Sequence, residues 1–483
     1  MSNLKSSEAQ LTNVPARLEQ LKWSRWHTKI TAVLGAGWAL DAYEINIVSA
    51  VLNLLKEQFK VTSQQATYIK TVWLAGALVG ALGFGYVSDR YGRKRTFLLT
   101  ILMYSFFTVV TAFSVNYPMF LVFRCLTAIG VGAEYTAVNA TIAEFIPANY
   151  RGGVNTLVMS TWAIGALCAN LIQIPLVKYV DPDLCWRIGM GSGAVAAVCV
   201  FWFRRALPES PRWYLSQGRF EEAEAIVSQI EALAGQPLNN PDSVEKMVYE
   251  VPKQENFFGH LITLFIKYPG RTVYAMILNG SQAFGDYGVA GFMSLAILPL
   301  AKIPNENMPA FYLWGNVATV PAGLLNSWLM VKVDRKKLVP INYILAIVTA
   351  GCLLPAANAA ASSGVTVSLQ LAYCAYMFAY TMAWTTAYPA LTEVFPTHLR
   401  SSGIGIAVAA GRVAGAVAPL LMVAIFEETG PLDPSTGKHS NVSGAIGLLT
   451  SFFGLALIAS VPWYFFGVEG RNMRVEGMVA SPK

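Results

Sequence analysis

The stretch GFGYVSDRYGRKRT, Gly83 to Thr96, places one acid and four cations directly after an apolar run, with glycines on both sides of the charges. Its surroundings decide the fold. The 483 residues are 54% hydrophobic and 13% charged, about half the roughly 25% charged share of a soluble domain. Apolar stretches of about 18 residues or more recur along the chain, each long enough to cross a hydrocarbon core of about 30 Å as a helix. Their spacing predicts twelve spans, near 29–55, 66–88, 96–116, 118–142, 153–180, 187–206, 271–298, 308–331, 338–361, 366–390, 402–425 and 443–467. The fold class expected is therefore an all-α membrane protein.

Cations set the expected orientation. The N-terminal segment (Lys5, Arg17, Lys22, Arg25), the link after span two (Arg90, Arg93, Lys94, Arg95), the link after span eight (Lys332, Arg335, Lys336, Lys337) and the C-terminal tail (Arg471, Arg474) are basic, whereas the opposite links are short and cation-poor. By the positive-inside rule both termini face the cytoplasm, in a plasma membrane or bacterial inner membrane. The net charge of +7 thus reflects topology, and no nucleic-acid partner is expected. Residues 1–28 lack the apolar core and cleavage site of a signal peptide. Six cysteines lie within or beside apolar spans without C-x-x-C spacing and read as packing residues, so neither a metal nor another cofactor is called for.

A charged segment, 207–270, separates six spans (29–206) from six (271–467), leaving 1–28 and 468–483 as cytoplasmic ends. Within it RFEEAEAIVSQIEAL sets Ile226, Val227, Ile230 and Leu233 on one face of an amphipathic helix. The two sets of spans carry a repeat: AEFIPANYRGG has Glu144, Pro147 and Arg151, TEVFPTHLRSSG has Glu393, Pro396 and Arg400, and each pair is 249 residues apart. Asp89-Arg90 is answered by Asp334-Arg335. Duplicated membrane helices are the layout of a transporter whose halves rock about a central site.

These motifs carry a family resemblance. GFGYVSDRYGRKRT closely resembles the G-x-x-x-D-R-x-G-R-[RK] signature of the major facilitator superfamily. FRCLTAIGVGAEYTAVNATIAEFIPANYRGG, PESPRWYLSQGR (208–219) and GVEGR (467–471) are similar, in order, to the fourth-helix, post-sixth-helix and C-terminal motifs of its sugar porters. The resemblance spans essentially the whole chain and implies two pseudo-symmetric six-helix bundles. It also implies a cytoplasmic gate built from Asp89, Arg90, Gly92, Arg93, Glu144, Arg151, Glu209, Arg212, Asp334, Arg335, Glu393 and Arg400. The plainer reading of the basic loop is a topogenic signal, which its cations satisfy alone.

Ionisable groups inside a span cost roughly 2.5–3.5 kcal/mol each on insertion scales and so mark function. Six stand out: Asp41, Glu44, Arg124, Glu134, Asp286 and Arg412. Asp41 and Glu44, three apart, share a helix face. Glu44 aligns with the helix-one acid of proton-coupled sugar porters and Arg124 with the helix-four arginine that pairs with it. Asp41, Glu44, Arg124 and Glu134 are therefore the proton-coupling candidates, with a permanent structural ion pair as the alternative for Glu44 and Arg124. Arg412, among small residues in AVAAGRVAGAVAPLL, is shaped to fork onto a carboxylate or phosphate. The alternative is a scaffold pair with Asp286.

Helix ten places Tyr376, Tyr380, Trp384 and Tyr388 four apart, either a cavity wall or a packing stripe. Further candidate substrate contacts are Tyr135, Trp162, Gln173, Asn279, Gln282 and Tyr287. The paired glutamines with which sugar porters bind hydroxyls are replaced by Met159 and Ala166, so a sugar is disfavoured. DAYE (Asp41–Glu44) is similar to the D-x-x-[DE] of aromatic-acid and niacin-type proton symporters. The first expectation is a small carboxylated metabolite, aromatic acids among the class, imported with protons by a single copy of the chain. Inorganic phosphate, a sugar or polyol, and a cationic or zwitterionic solute held by Asp286 or Glu134 are alternatives. A drug antiporter is disfavoured because no proline directly follows Gly165, and a non-transporting sensor by the short tail. The chain has no phosphate-cradling G-x-x-x-x-G-K-[ST] loop, and no enzyme activity is expected.

Overall fold

A computed structural model describes residues 10–205, 208–238, 243–244, 246–249, 257–364, 366–395, 400–429 and 441–466. Among them are twelve helices of 20 residues or more: α2 (Arg25–Phe59), α3 (Ser63–Tyr91), α4 (Arg93–Ala112), α5 (Tyr117–Phe145), α6 (Ala148–Tyr179), α7 (Pro182–Arg204), α11 (Pro269–Phe292), α13 (Met308–Lys332), α14 (Arg335–Ser363), α15 (Val367–Val394), α16 (Arg400–Glu428) and α17 (Val442–Phe466). Short helices complete the chain: α1 (Val14–Gln20), α8 (Pro211–Ser216), α9 (Phe220–Leu233), α10 (Phe257–Lys267) and α12 (Leu298–Leu300). A two-stranded antiparallel ribbon, β1 (Gln10–Thr12) with β2 (Met247–Tyr249), ties the N-terminal segment to the central linker.

Seven of the twelve are long and apolar enough to span a membrane on composition alone. The other five, α2, α3, α5, α13 and α15, hold buried polar side chains, among them Asp41, Lys70, Arg124, Asn326 and Thr386. Large apolar side chains such as Phe106, Trp202, Leu324 and Ile458 lie exposed on the outside of the helices, where lipid rather than water satisfies them.

The two halves pack alike. α2 pairs with α6 as α11 does with α16, α3 with α5 as α13 with α15, and α4 with α7 as α14 with α17. Between the halves the exchange is reciprocal: α3 lies on α16 and α6 on α13. Glycine makes the closest crossings feasible. A Cβ at Gly132 would come to 2.0 Å from the Ala77 carbonyl oxygen, and one at Gly165 to 1.8 Å from that of Ala39, so the α3–α5 and α2–α6 backbones meet without intervening side chains.

The linker side is a second layer. α1, α8 and α9 share one apolar cluster with the ends of α2, α5 and α6. In α9 the buried face is Ala223, Val227 and Ile230, whereas Leu233 is 52% exposed. The expected face is thereby rotated: Ile226 and Leu233, seven residues apart, line a cleft of about 420 Å³ with Lys94 and Glu209. The layer is pinned by Arg17, whose guanidinium donates to both Glu231 oxygens at 2.8 and 2.7 Å and to Ser228 at 2.9 Å.

Among the described residues, hydrogen bonds joining the halves lie on the opposite, distal side. Ser294 donates to the Ser49 carbonyl (2.8 Å) and Thr71 to that of Ala416 (2.9 Å), while Asn53 donates to Asn305 (2.7 Å) and Asn305 to Glu57 (3.1 Å). Ser294 sits in a π-helical turn, Met293–Ile297, that continues α11; the widened turn turns its hydroxyl toward the other half. Leu295 and Val423 join an apolar cluster made otherwise from the first half.

Candidate functional site

Among the described residues, two charged centres lie inside the helices. The first belongs to one half. Glu44 on α2 and Arg124 on α5 form a 2.7 Å ion pair, 0% and 1% exposed. Arg124 also stacks over Trp73 of α3 at 4.1 Å and lies near the Met190 sulfur. On the far side of the carboxylate, Thr108 of α4 donates at 3.5 Å, and Gly193 of α7 is so close that a Cβ there would meet Glu44 Oε1 at 2.6 Å. Four helices thus enclose the carboxylate.

The second centre lies where the halves meet. Its middle is Tyr287 on α11, whose hydroxyl senses the charges of Arg412 on α16, Asp286 on α11 and Asp41 on α2. Arg412 lies close to that hydroxyl. Asp41 is 5% exposed, and Asp286 and Arg412 are partly exposed. Asp41 and Glu44 therefore part company. Three residues along a helix leave side chains about 60° apart, enough for Glu44 to point into its own half and Asp41 toward the other.

Lys70 on α3 is a member that the sequence reading passed over. It is 5% exposed, and its charge interacts through space with that of Asp286 on the other half. A lysine near the end of a span ordinarily snorkels out to the interface, so its type and place in the sequence do not set it apart. Its position inside the predicted span 66–88 was the available signal. Lys70 and Trp73, three apart on α3, connect the two centres.

The aromatic stripe of α15 divides by function of position. Tyr376 donates to the Gly285 carbonyl at 3.0 Å and packs on Phe453, and Tyr376, Tyr380 and Trp384 continue ring over ring at centroid spacings of 6.1 and 6.3 Å. Tyr380 faces the charge of Asp286, so the stripe begins as packing and ends beside the second centre. Gln282 donates to Tyr343 at 2.8 Å and Asn279 lies against Gly411, both inside the second half. Gln173 contacts Cys185 and Gly189 between α6 and α7, and Trp162 packs on Trp38. None of these contacts is with Tyr287 itself.

In the charged loop, Gly92 takes φ +104° and joins α3 to α4 as a single residue. A Cβ there would meet Glu209 at 2.5 Å. Glu209 accepts from the Lys94 amide at 2.9 Å, setting a carboxylate on the positive end of α4. Arg212 pairs with Glu19 at 2.8 Å. Both gate candidates thus contact elements of the first half and its N-terminal segment. Glu144 is half-buried near the linker end of α5, and Asp334 precedes α14. The side chains of Glu134, Tyr135, Tyr388, Asp89, Arg90, Arg93, Arg151, Arg335, Glu393 and Arg400, and the segment 467–483, lie outside the described residues.

The fold, the duplicated helix pairing and the charges between the halves agree with the family comparison. The family model for sugar (and other) transporters matches residues 28–478. This chain belongs to that family. It is a multi-pass membrane transporter of the major facilitator superfamily, not an enzyme. It is 27% identical to the niacin transporter NiaP of Acinetobacter baylyi over 407 residues, covering 84% of this chain and 89% of that protein. It is 25% identical to the organic cation/carnitine transporter 7 of Arabidopsis thaliana, covering 85% and 88%. Its fold matches the inward-open conformation of the xylose transporter XylE from E. coli with a TM-score of 0.71 at 19% identity, over 93% of this chain and 98% of that one.

Proposed function

We propose that this transporter is a proton symporter that imports a small carboxylated metabolite with a flat or aromatic ring by alternating access, with both termini cytoplasmic. The observation that carries the reading is the charge cluster between the halves, where Arg412 faces the Tyr287 hydroxyl beside Asp286 and Asp41. An arginine in a site bounded by aromatic rings is suited to a planar acid. The likeness to a niacin transporter supports the same solute class. With the linker side toward the cytoplasm, the orientation expected from the loop cations, the distal hydrogen bonds would hold the outer mouth together.

Glu44 and Arg124 supply the proposed coupling. A carboxylate enclosed by four helices exchanges a proton only when its arginine moves away, and rocking of the halves is the motion that would move it. Uptake of labelled nicotinate into proteoliposomes tests this. An acidic exterior is expected to drive accumulation, and uptake indifferent to the imposed gradient would sink the symport reading.

A second reading, a zwitterionic solute, rests on Asp41 and Asp286 lying in the same layer as Arg412. It has support from the likeness to an organic cation/carnitine transporter. Competition by carnitine but not by benzoate against labelled substrate would select it.

A further inference from the structure

Lys70 and Asp286 stand on opposite halves, and neither is placed in a role by the family motifs above. The Lys70 side chain crosses the boundary. Its Cδ lies 3.9 Å from where a Cβ on Gly291 of α11 would be, and the neighbouring Thr71 is bonded to the Ala416 carbonyl, one turn along α16 from Arg412. The Nζ is buried with no hydrogen-bond partner among the described residues. Its charge nonetheless attracts that of Asp286 through space. An ammonium carries three donors, and a buried one with none satisfied is poised for an anionic acceptor.

We infer that Lys70 is a second cationic ligand for the substrate carboxylate, and that the arriving carboxylate takes the place of Asp286 as its counter-ion while Asp286 takes up a proton at the binding step, separate from the proton that Glu44 exchanges when the halves rock. This rests on the carboxylate reading of the site and extends it to the proton count of binding. Before binding, Lys70 and Arg412 balance Asp41 and Asp286. One carboxylate adds a negative charge, and one proton, converting the Asp286 carboxylate to the neutral acid, restores the balance. The groups facing Asp286 are Lys70 from α3, Arg412 from α16, Asp41 from α2, its neighbour Tyr287, and Tyr373, Tyr376 and Tyr380 from α15. Every one of the tyrosines is a poor proton acceptor at neutral pH. Of the two acids, Asp286 is the one coupled to the lysine that the substrate would engage.

The test is calorimetric binding of nicotinate, benzoate and neutral nicotinamide to the purified full chain, repeated in buffers of different ionisation enthalpy to count protons. Wild type is expected to take up one proton with each carboxylate. Lys70→Gln should weaken both acids by about tenfold or more and leave nicotinamide unchanged, and Lys70→Arg should recover most of the loss. Asp286→Asn should bind the acids without proton uptake, and Asp41→Asn with it. Equal weakening of acids and amide by Lys70→Gln, undiminished acid binding, or proton uptake that survives Asp286→Asn would each overturn the assignment. Failure of wild type to bind either acid is a different result: it removes the carboxylate reading itself, and this inference with it.

Discussion

Glu44 Oε2 and Arg124 Nη1 lie 2.7 Å apart in a site from which solvent is excluded on every side. Removing one member of such a pair leaves the other charge buried, which costs about 3–5 kcal/mol. Glu44→Ala is therefore expected to lower the unfolding temperature of the detergent-solubilised protein markedly. Glu44→Gln keeps an acceptor for Arg124, and should abolish concentrative uptake while sparing substrate exchange. Normal accumulation by Glu44→Gln would take this residue out of the coupling role.

Arg412 is expected to discriminate by charge. Arg412→Ala should weaken nicotinate far more than nicotinamide, by about 1.5–3 kcal/mol, the range for a hydrogen bond to a charged group. Equal losses for acid and amide in a binding assay would assign Arg412 to the scaffold.

The α3–α5 and α2–α6 crossings leave no room for a side chain. Gly132→Val and Gly165→Val each force the Cβ into a carbonyl oxygen of the facing helix, at Ala77 and Ala39. Overpacking of this kind typically costs about 1–3 kcal/mol and occasionally more. Loss of monodisperse protein on size-exclusion chromatography is the expected readout, and full yield from either variant would show that the crossing yields.

Polar groups bind the second half internally. Asn342 on α14 donates to Thr386 (2.7 Å) and the Met382 carbonyl (3.1 Å) on α15, and Asn326 on α13 accepts from Thr386 (3.1 Å) and donates to Thr385 (2.7 Å). Asn342→Leu strands these partners, and about 1–3 kcal/mol per orphaned group is at stake. Thermal unfolding should show the loss; a neutral result would mean that neighbouring hydroxyls re-pair.

The linker layer offers a measurable coupling between distant segments. Arg17 and Glu231, 214 residues apart, form a buried two-pronged pair. In a double-mutant cycle with alanine, the two single changes should each destabilise α1 and α9 against proteolysis, and the double change should cost clearly less than their sum. Strict additivity would deny the pair any mutual stabilisation.

Much of this architecture was legible in the chain itself, because lipid imposes rules that act locally. A span must be about 20 apolar residues long and must satisfy its own backbone, so composition alone marks it. Duplication left the 249-residue offset, and the charged loop and its glycine turn lie in one contiguous motif. The acids and arginines of the spans were likewise visible, since few charges survive there.

Which charges meet was decided only in three dimensions. Asp41 and Glu44 share a stretch of one helix yet serve different centres, because a 60° offset of about that size is enough to turn one toward its own half and the other across the boundary. Lys70 gained its meaning from Asp286, more than 200 residues away on the other half. Helical periodicity reports the direction of a side chain about its own axis, whereas the neighbour it finds depends on how separate helices pack, and that is set by glycine crossings and distal contacts spread over the whole chain.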